Sequence, residues 1–140
     1  MNSQILIKVN TFVKKRLIEL FGCLLILISV FLLVSIATYS PSDPNFIYTA
    51  EGVKIKNFGG FYGSVVSDFL LQSMGLIAFF ITLNFFHWGL ILITIKKISN
   101  FISKIFFTLI YIILGTTYAN VFFNESFWLI DNGNGGFVGR

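Results

Sequence analysis

The sequence predicts an all-α integral membrane protein with three transmembrane helices, at about residues 17–39, 69–95 and 101–123. Three observations predict it. Of the 140 residues, 56% are hydrophobic and only 11% charged, with a mean hydropathy of +0.85. Soluble domains carry about 25% charged residues, so a soluble fold could not cover this apolar surface, and disorder needs the opposite composition. The apolar residues also gather into three runs, each long enough to cross a hydrocarbon core of about 30 Å. Finally, the alternating ten-residue segments of an outer-membrane barrel are absent, and a helix satisfies its own backbone in lipid. The length fits one small domain over residues 1–140, and a single cysteine, Cys23, excludes an internal disulfide framework.

Residues 1–16 form a basic segment with Lys8, Lys14, Lys15 and Arg16. Ile5, Val9, Phe12 and Val13 share a helical face, so the segment reads either as a helix lying along the lipid surface or as a frayed tail. Span one, 17–39, covers about 35 Å as a helix and has Glu19 as its only charge. A rival reading is a signal peptide, with Lys14-Lys15-Arg16 before the apolar run and Ser35-Ile36-Ala37 as a small-x-small site. Its length and the two later spans favour a retained helix. Span two, 69–95, has no charge unless His87 is protonated, and span three, 101–123, has only Lys104 near its start.

The loop cations orient the spans. Lys8, Lys14, Lys15, Arg16, Lys96, Lys97 and Lys104 flank one side, against Lys54, Lys56 and Arg140 on the other. Seven against three predicts a cytoplasmic N-terminus and a periplasmic C-terminus. Asp43, Glu51, Asp68, Glu125 and Asp131 then fall outside, where Tyr39, Tyr48 and Trp128 suit the interface. Trp88 lies about 12 Å of helix from Lys96 and reads as a packing group.

The outer loop and helix approach, residues 40–68, hold the most specific text. In Thr38-Tyr39-Ser40-Pro41-Ser42-Asp43-Pro44-Asn45, Pro41 stops the helix and Pro44 presets a turn. Residues 53–56 alternate as a short strand would, and Asn57 is placed to cap the next helix. Gly59-Gly60-Phe61-Tyr62-Gly63 then recurs as Gly135-Gly136-Phe137-Val138-Gly139, within an outer segment at 124–140. Read as an internal repeat, the second copy predicts a fourth, inward helix that the sequence does not contain. Chance similarity of five glycine-rich positions is the other reading.

These residues resemble the N-terminal four-helix membrane domain of the FtsK-type bacterial DNA translocases. That family carries Ser-Tyr-x-Pro-x-Asp-Pro-Ser after its first helix, matched here through Tyr39, Pro41, Asp43 and Pro44, with Thr38 and Asn45 in place of serines. Asn57, Gly59, Gly60, Gly63, Asp68 and Gly75 resemble the approach to its second helix. The resemblance covers essentially the whole chain and stops before the fourth helix, linker, motor and winged-helix module. It implies a membrane anchor and assembly module in the bacterial inner membrane at the division septum, with roles in cell division and chromosome segregation. Its implied partners are membrane lipids, further copies of itself and other division-site membrane proteins.

The residues themselves point to no catalysis and no cofactor. There is no G-x-x-x-x-G-K-[ST], and the terminal glycines miss dinucleotide-binding spacing. One His, one Cys and scattered carboxylates do not suggest a metal site. Cys23 reads as a small packing residue, and the cations flank spans instead of forming a nucleic-acid patch, so neither nucleotide nor DNA binding is expected. At 100° per residue, Gln72, Ser73, Asn84, His87 and Thr94 fall within an arc of about 120° on span two. A packing seam against Thr108, Gly115 and Ala119 of span three is the favoured reading. The alternative is a solute or proton path in a small transport or channel subunit, which ordinarily needs intramembrane carboxylates or broken helices.

Overall fold

The computed structural model describes residues 3–47, 52, 54–97, 99–123 and 133–140, with side chains from Ile7 onward. Tyr48, Glu51, Val53, Glu125, Trp128, Asp131 and the side chain of Ile5 lie outside the described residues. The elements are α1 (Ser3–Ala37), α2 (Gly60–Met74), a 3-10 turn (Gly75–Ile77), α3 (Ala78–Ile95), α4 (Phe101–Phe122) and a second 3-10 turn (Phe137–Gly139). The described helices give three candidate spans, Ile7–Ala37, Gly60–Ile95 and Phe101–Phe122, each long and apolar enough to cross a membrane.

The chain exposes large apolar side chains along its helices and buries hydroxyl groups beside a small apolar core. Leu20, Leu27, Phe107 and Leu114 are each about two-thirds exposed. The side chains buried most completely include Ser35, Ser67, Thr82 and Thr116. Lipid tails are as apolar as leucine, so many leucines stay outside, and small and hydroxyl groups share the interior with Ile36 and Leu71, which are fully buried. No buried side-chain N or O among the described residues lacks a hydrogen-bond partner.

Two elements differ from the sequence expectation. The basic segment neither frays nor forms a separate surface helix: it continues α1 without interruption for 35 residues, about 52 Å. No proline or glycine falls between Ser3 and Phe21 to stop it. Span two begins at Gly60 and is broken at Gly75, whose φ of 58° and ψ of −139° cannot continue a helix. The intact part below the break, α3, is about 27 Å long.

Helix α1 runs antiparallel to α3 and packs mainly on it, with a smaller contact on α2. The crossing is set by glycines: a Cβ on Gly22 would stand 2.8 Å from the Gly89 carbonyl, and one on Gly89 2.7 Å from the Gly22 carbonyl. Seven residues along α1, Ser29 donates to the Thr82 carbonyl at 2.6 Å, and Thr82 lies seven residues back from Gly89. Helix α4 is held differently, by the 3-10 turn of span two and the terminal segment. At the opposite end from the loop, Glu19 pairs with Arg16 at 2.6 Å and with Lys96, tying α1 to the end of α3.

Candidate functional site: the loop clamp and its second copy

The residues after α1 fold into a hydrogen-bonded clamp on the start of α2. Pro41 follows the last turn of α1, and Asp43 N–H donates to the Ser40 carbonyl at 3.1 Å, reversing the chain. That turn aims the buried Asp43 carboxylate, 3% exposed, at the strand-like text. It accepts from Lys56 N–H at 3.1 Å and from Asn57 N–H at 2.8 Å. Residues 54–57 are irregular, with the amides of Lys56 and Asn57 held by a carboxylate and not by a second strand. Bonds to a charged acceptor contribute about 1.5–3 kcal/mol each.

Asn57 does something other than cap α2, whose first helical residue follows Gly59 with no side-chain cap. Its Nδ2 donates to the Ser35 carbonyl at 2.7 Å and weakly to Ser67 Oγ at 3.3 Å, while its Oδ1 accepts Gly59 N–H at 2.8 Å. It thus closes the C-terminal end of α1, where carbonyls lack helical partners. Gly59 and Gly63 make room for it: a Cβ on Gly59 would meet Ser35 Oγ, and one on Gly63 would meet Asn57 Oδ1, each at 2.5 Å. Ser64 Oγ donates to the Pro44 carbonyl at 2.6 Å. Asp68 accepts from Tyr39 OH and Asn45 Nδ2, both at 3.0 Å. Asp43, Asn57, Ser64 and Asp68 thus link the loop to the end of α1 and the start of α2.

The second glycine copy repeats the first in geometry. Gly60 and Gly136 have φ of 64° and 62°. Gly60 N–H donates to Asn57 O at 3.0 Å, and Gly136 N–H to Gly133 O at 3.3 Å. Gly63 N–H then reaches Gly59 O at 3.1 Å, as Gly139 N–H reaches Gly135 O at 3.2 Å. This second turn wedges between α4 and the break in span two. Leu76 N–H, freed by the break, donates to the Asn134 carbonyl at 2.9 Å, and Asn134 Nδ2 donates to the Phe123 carbonyl at 2.7 Å. Gly135 and Gly139 lie against the Thr116 carbonyl.

The polar strip of span two is split by the break. Gln72 and Ser73, on α2, line an open cleft of about 460 Å³ with Tyr39, Pro41, Asn45 and Asp68. Asn84, on α3, donates to Thr108 Oγ1 at 3.1 Å and Tyr111 OH at 3.0 Å across to α4. His87 is exposed on the outside of α3, and Thr94 is exposed and bonds back to the Leu90 carbonyl at 2.8 Å. Gly115 packs on Ile77, and Ala119 is buried. A helical wheel drawn through Gly75 loses its phase, so only Asn84, Thr108 and Gly115 meet at the junction of spans two and three. Sequence reading missed Gly22, Ser29 and Tyr111; the seven-residue spacing of Gly22–Ser29 and of Thr82–Gly89 was the available signal.

The loop carboxylates serve as hydrogen-bond acceptors within the clamp. Asp43 and Asp68 are engaged by structural donors, and no group of three metal-binding side chains occurs among the described residues. Comparison with known proteins agrees with the loop text. Residues 14–140 match the family described as the 4TM region of DNA translocase FtsK/SpoIIIE. The DNA translocase FtsK of Mesorhizobium japonicum is 24% identical over 131 residues, 94% of this chain and 15% of the relative. That of Agrobacterium fabrum is 25% identical over 130 residues, 93% of this chain and 14% of the relative. That of Vibrio vulnificus is 40% identical over 65 residues, 46% of this chain and 7% of the relative. The chain therefore spans 15% or less of these relatives, and what it matches is their membrane region. No solved structure matches it. With three long apolar helices and a family match from Lys14 to the last residue, the chain belongs to the FtsK/SpoIIIE membrane-region family.

Proposed function

We propose that this chain is the membrane-anchoring and assembly module of an FtsK-type septal DNA translocase, acting in cell division and chromosome segregation and carrying no motor itself. The observation that supports this best is the clamp: the family-like residues Tyr39, Asp43, Asn57, Gly59, Gly63 and Asp68 are the ones that join α1 to α2. A hydrogen-bonded joint between two spans, with no metal-binding cluster among the described residues, suits a part that holds other parts in place. The basic end of the bundle, with Arg16, Lys96 and Lys97, faces the cytoplasm by the positive-inside rule, and the clamp faces the periplasm. The second glycine turn would start a further inward helix in the longer relatives. Partners would be further copies of the chain and division-site membrane proteins, with no direct contact to DNA or nucleotide.

Septal enrichment of a fluorescently tagged protein tests the proposal, and Asp43→Ala should disperse it while leaving it in the membrane. Uniform membrane distribution of the unmodified protein would refute the septal reading. Topology is checked separately: Ser99→Cys should label only after permeabilisation, and Ser42→Cys from the outside, in a Cys23→Ser background.

The interrupted second span is an observation on the side of a transport subunit, since transporters use broken helices. Here the break is occupied by the Asn134 carbonyl and the glycine turn instead of lining an open path. Solute or proton flux in vesicles that vanishes in Asn84→Ala and His87→Ala would be required to revive that reading.

A further inference from the structure

At the basic end, where α1, α3 and the start of α4 diverge, lies a notch of about 50 Å³. Its walls are apolar, with Phe21 and Leu25 from α1, Trp88 from α3 and Phe101 from α4; its rim is cationic, with Lys97 and Lys104. The rings of Trp88 and Phe101 stand 6.3 Å apart across it. The neighbouring cations Arg16 and Lys96 are held by Glu19, whereas Lys97 and Lys104 have no carboxylate within ion-pair distance among the described residues. Trp88 lies about 12 Å of helix below Lys96, so the wall extends from headgroup depth into acyl-chain depth.

We propose that this notch is a binding site for an anionic glycerophospholipid, with the phosphate at Lys97 and Lys104 and the upper acyl chain on Trp88 and Phe21. The assignment follows from complementarity at both ends: two unpaired cations for a negative headgroup, and an aromatic wall continuous with the bilayer for a chain. Basic pockets between transmembrane helices take such headgroups, and each lysine near an anionic lipid is worth about a fivefold gain in binding. The proposal requires the helices to span a bilayer, but it does not depend on the septal role.

Tryptophan occurs twice, at Trp88 and Trp128, so Trp128→Phe leaves Trp88 as the sole reporter. The full chain with that change is placed in nanodiscs doped with phosphatidylglycerol or phosphatidylcholine brominated on the upper acyl chain. Quenching of Trp88 should favour phosphatidylglycerol by roughly 25-fold in half-saturating lipid fraction, about fivefold for each lysine. Equal quenching by the two lipids overturns the proposal, because it leaves only an apolar wall. Lys97→Gln with Lys104→Gln, which keeps polar side chains at the rim, should abolish the preference with helical circular dichroism unchanged. Lys14→Gln with Lys15→Gln should retain it. A preference that survives the first pair, or is lost equally with the second, assigns the effect to general surface charge and overturns the site. Excess inorganic phosphate should leave the quenching unchanged; displacement would mean a free-anion site instead. Because the readout is quenching and not localisation, its failure leaves the septal proposal standing.

Discussion

The two glycine turns share a backbone and differ in what surrounds it. Around the first, at 57–63, side chains hold the bonds: Asp43 takes two amides, Asn57 closes α1, and Ser64 ties back to Pro44. Gly60, the left-handed residue of that turn, has nothing within 4 Å of where a Cβ would be. Around the second, at 133–139, the contacts are mostly with main chain, apart from the Asn134 side chain on the Phe123 carbonyl. A Cβ on Gly136 would press on Gly75 N and Ser73 O at 2.6 Å each. The first turn is fastened by side chains that its flanking glycines admit, the second chiefly by close approach of backbone to backbone. The same local conformation therefore predicts different sensitivities to substitution.

The largest effect should come from Asp43→Ala, which leaves two amides of the clamp without an acceptor. At about 1–3 kcal/mol for each orphaned donor, the expected loss is about 4 kcal/mol in detergent unfolding followed by circular dichroism. Asp43→Asn, which keeps an acceptor oxygen, should recover about half of it. Next comes the pair that separates the turns. Gly60→Ala should cost only the left-handed strain of about 1–2 kcal/mol, whereas Gly136→Ala adds a backbone collision and should reach about 3 kcal/mol. Equal losses at the two positions would break the comparison. Gly89→Ala should push α3 off α1 at a cost of about 2 kcal/mol and slow disulfide formation between cysteines placed at 29 and 82. Asn84→Ala, which removes hydrogen bonds between α3 and α4, should cost only about 0.6 kcal/mol, the usual size of such bonds in membrane bundles.

Much of this architecture was legible in the residues. The apolar runs mark the spans because lipid imposes composition directly, and both glycine turns could be seen as a repeat because each needs glycine at the same offsets. The break at Gly75 was hidden, since Met74, Leu76 and Ile77 keep the hydropathy of a continuous helix and one glycine is ordinary in a membrane span. The role of Asn57 was hidden for another reason. Its spacing suggests a cap for the following helix, while its true partner, the Ser35 carbonyl, is distant in sequence and becomes near only once Asp43 has turned the loop. Likewise the polar arc on span two presumed one unbroken wheel, and the phase change at the 3-10 turn sends Gln72 and Asn84 to different neighbours.

The amide of Leu76 carries a consequence for how the protein is made. It sits at the clamp-side end of α3, about 27 Å of helix from the basic end, and its acceptor is the Asn134 carbonyl. During synthesis, spans one and two emerge long before residue 134 does. Until then the kink is an open donor, and the pair α1–α3 can assemble through Gly22, Gly89 and Ser29 while that donor still needs water or the insertion machinery. The bond that closes the break in span two therefore cannot form until residue 134 has been synthesised, well after both helices that flank it in space.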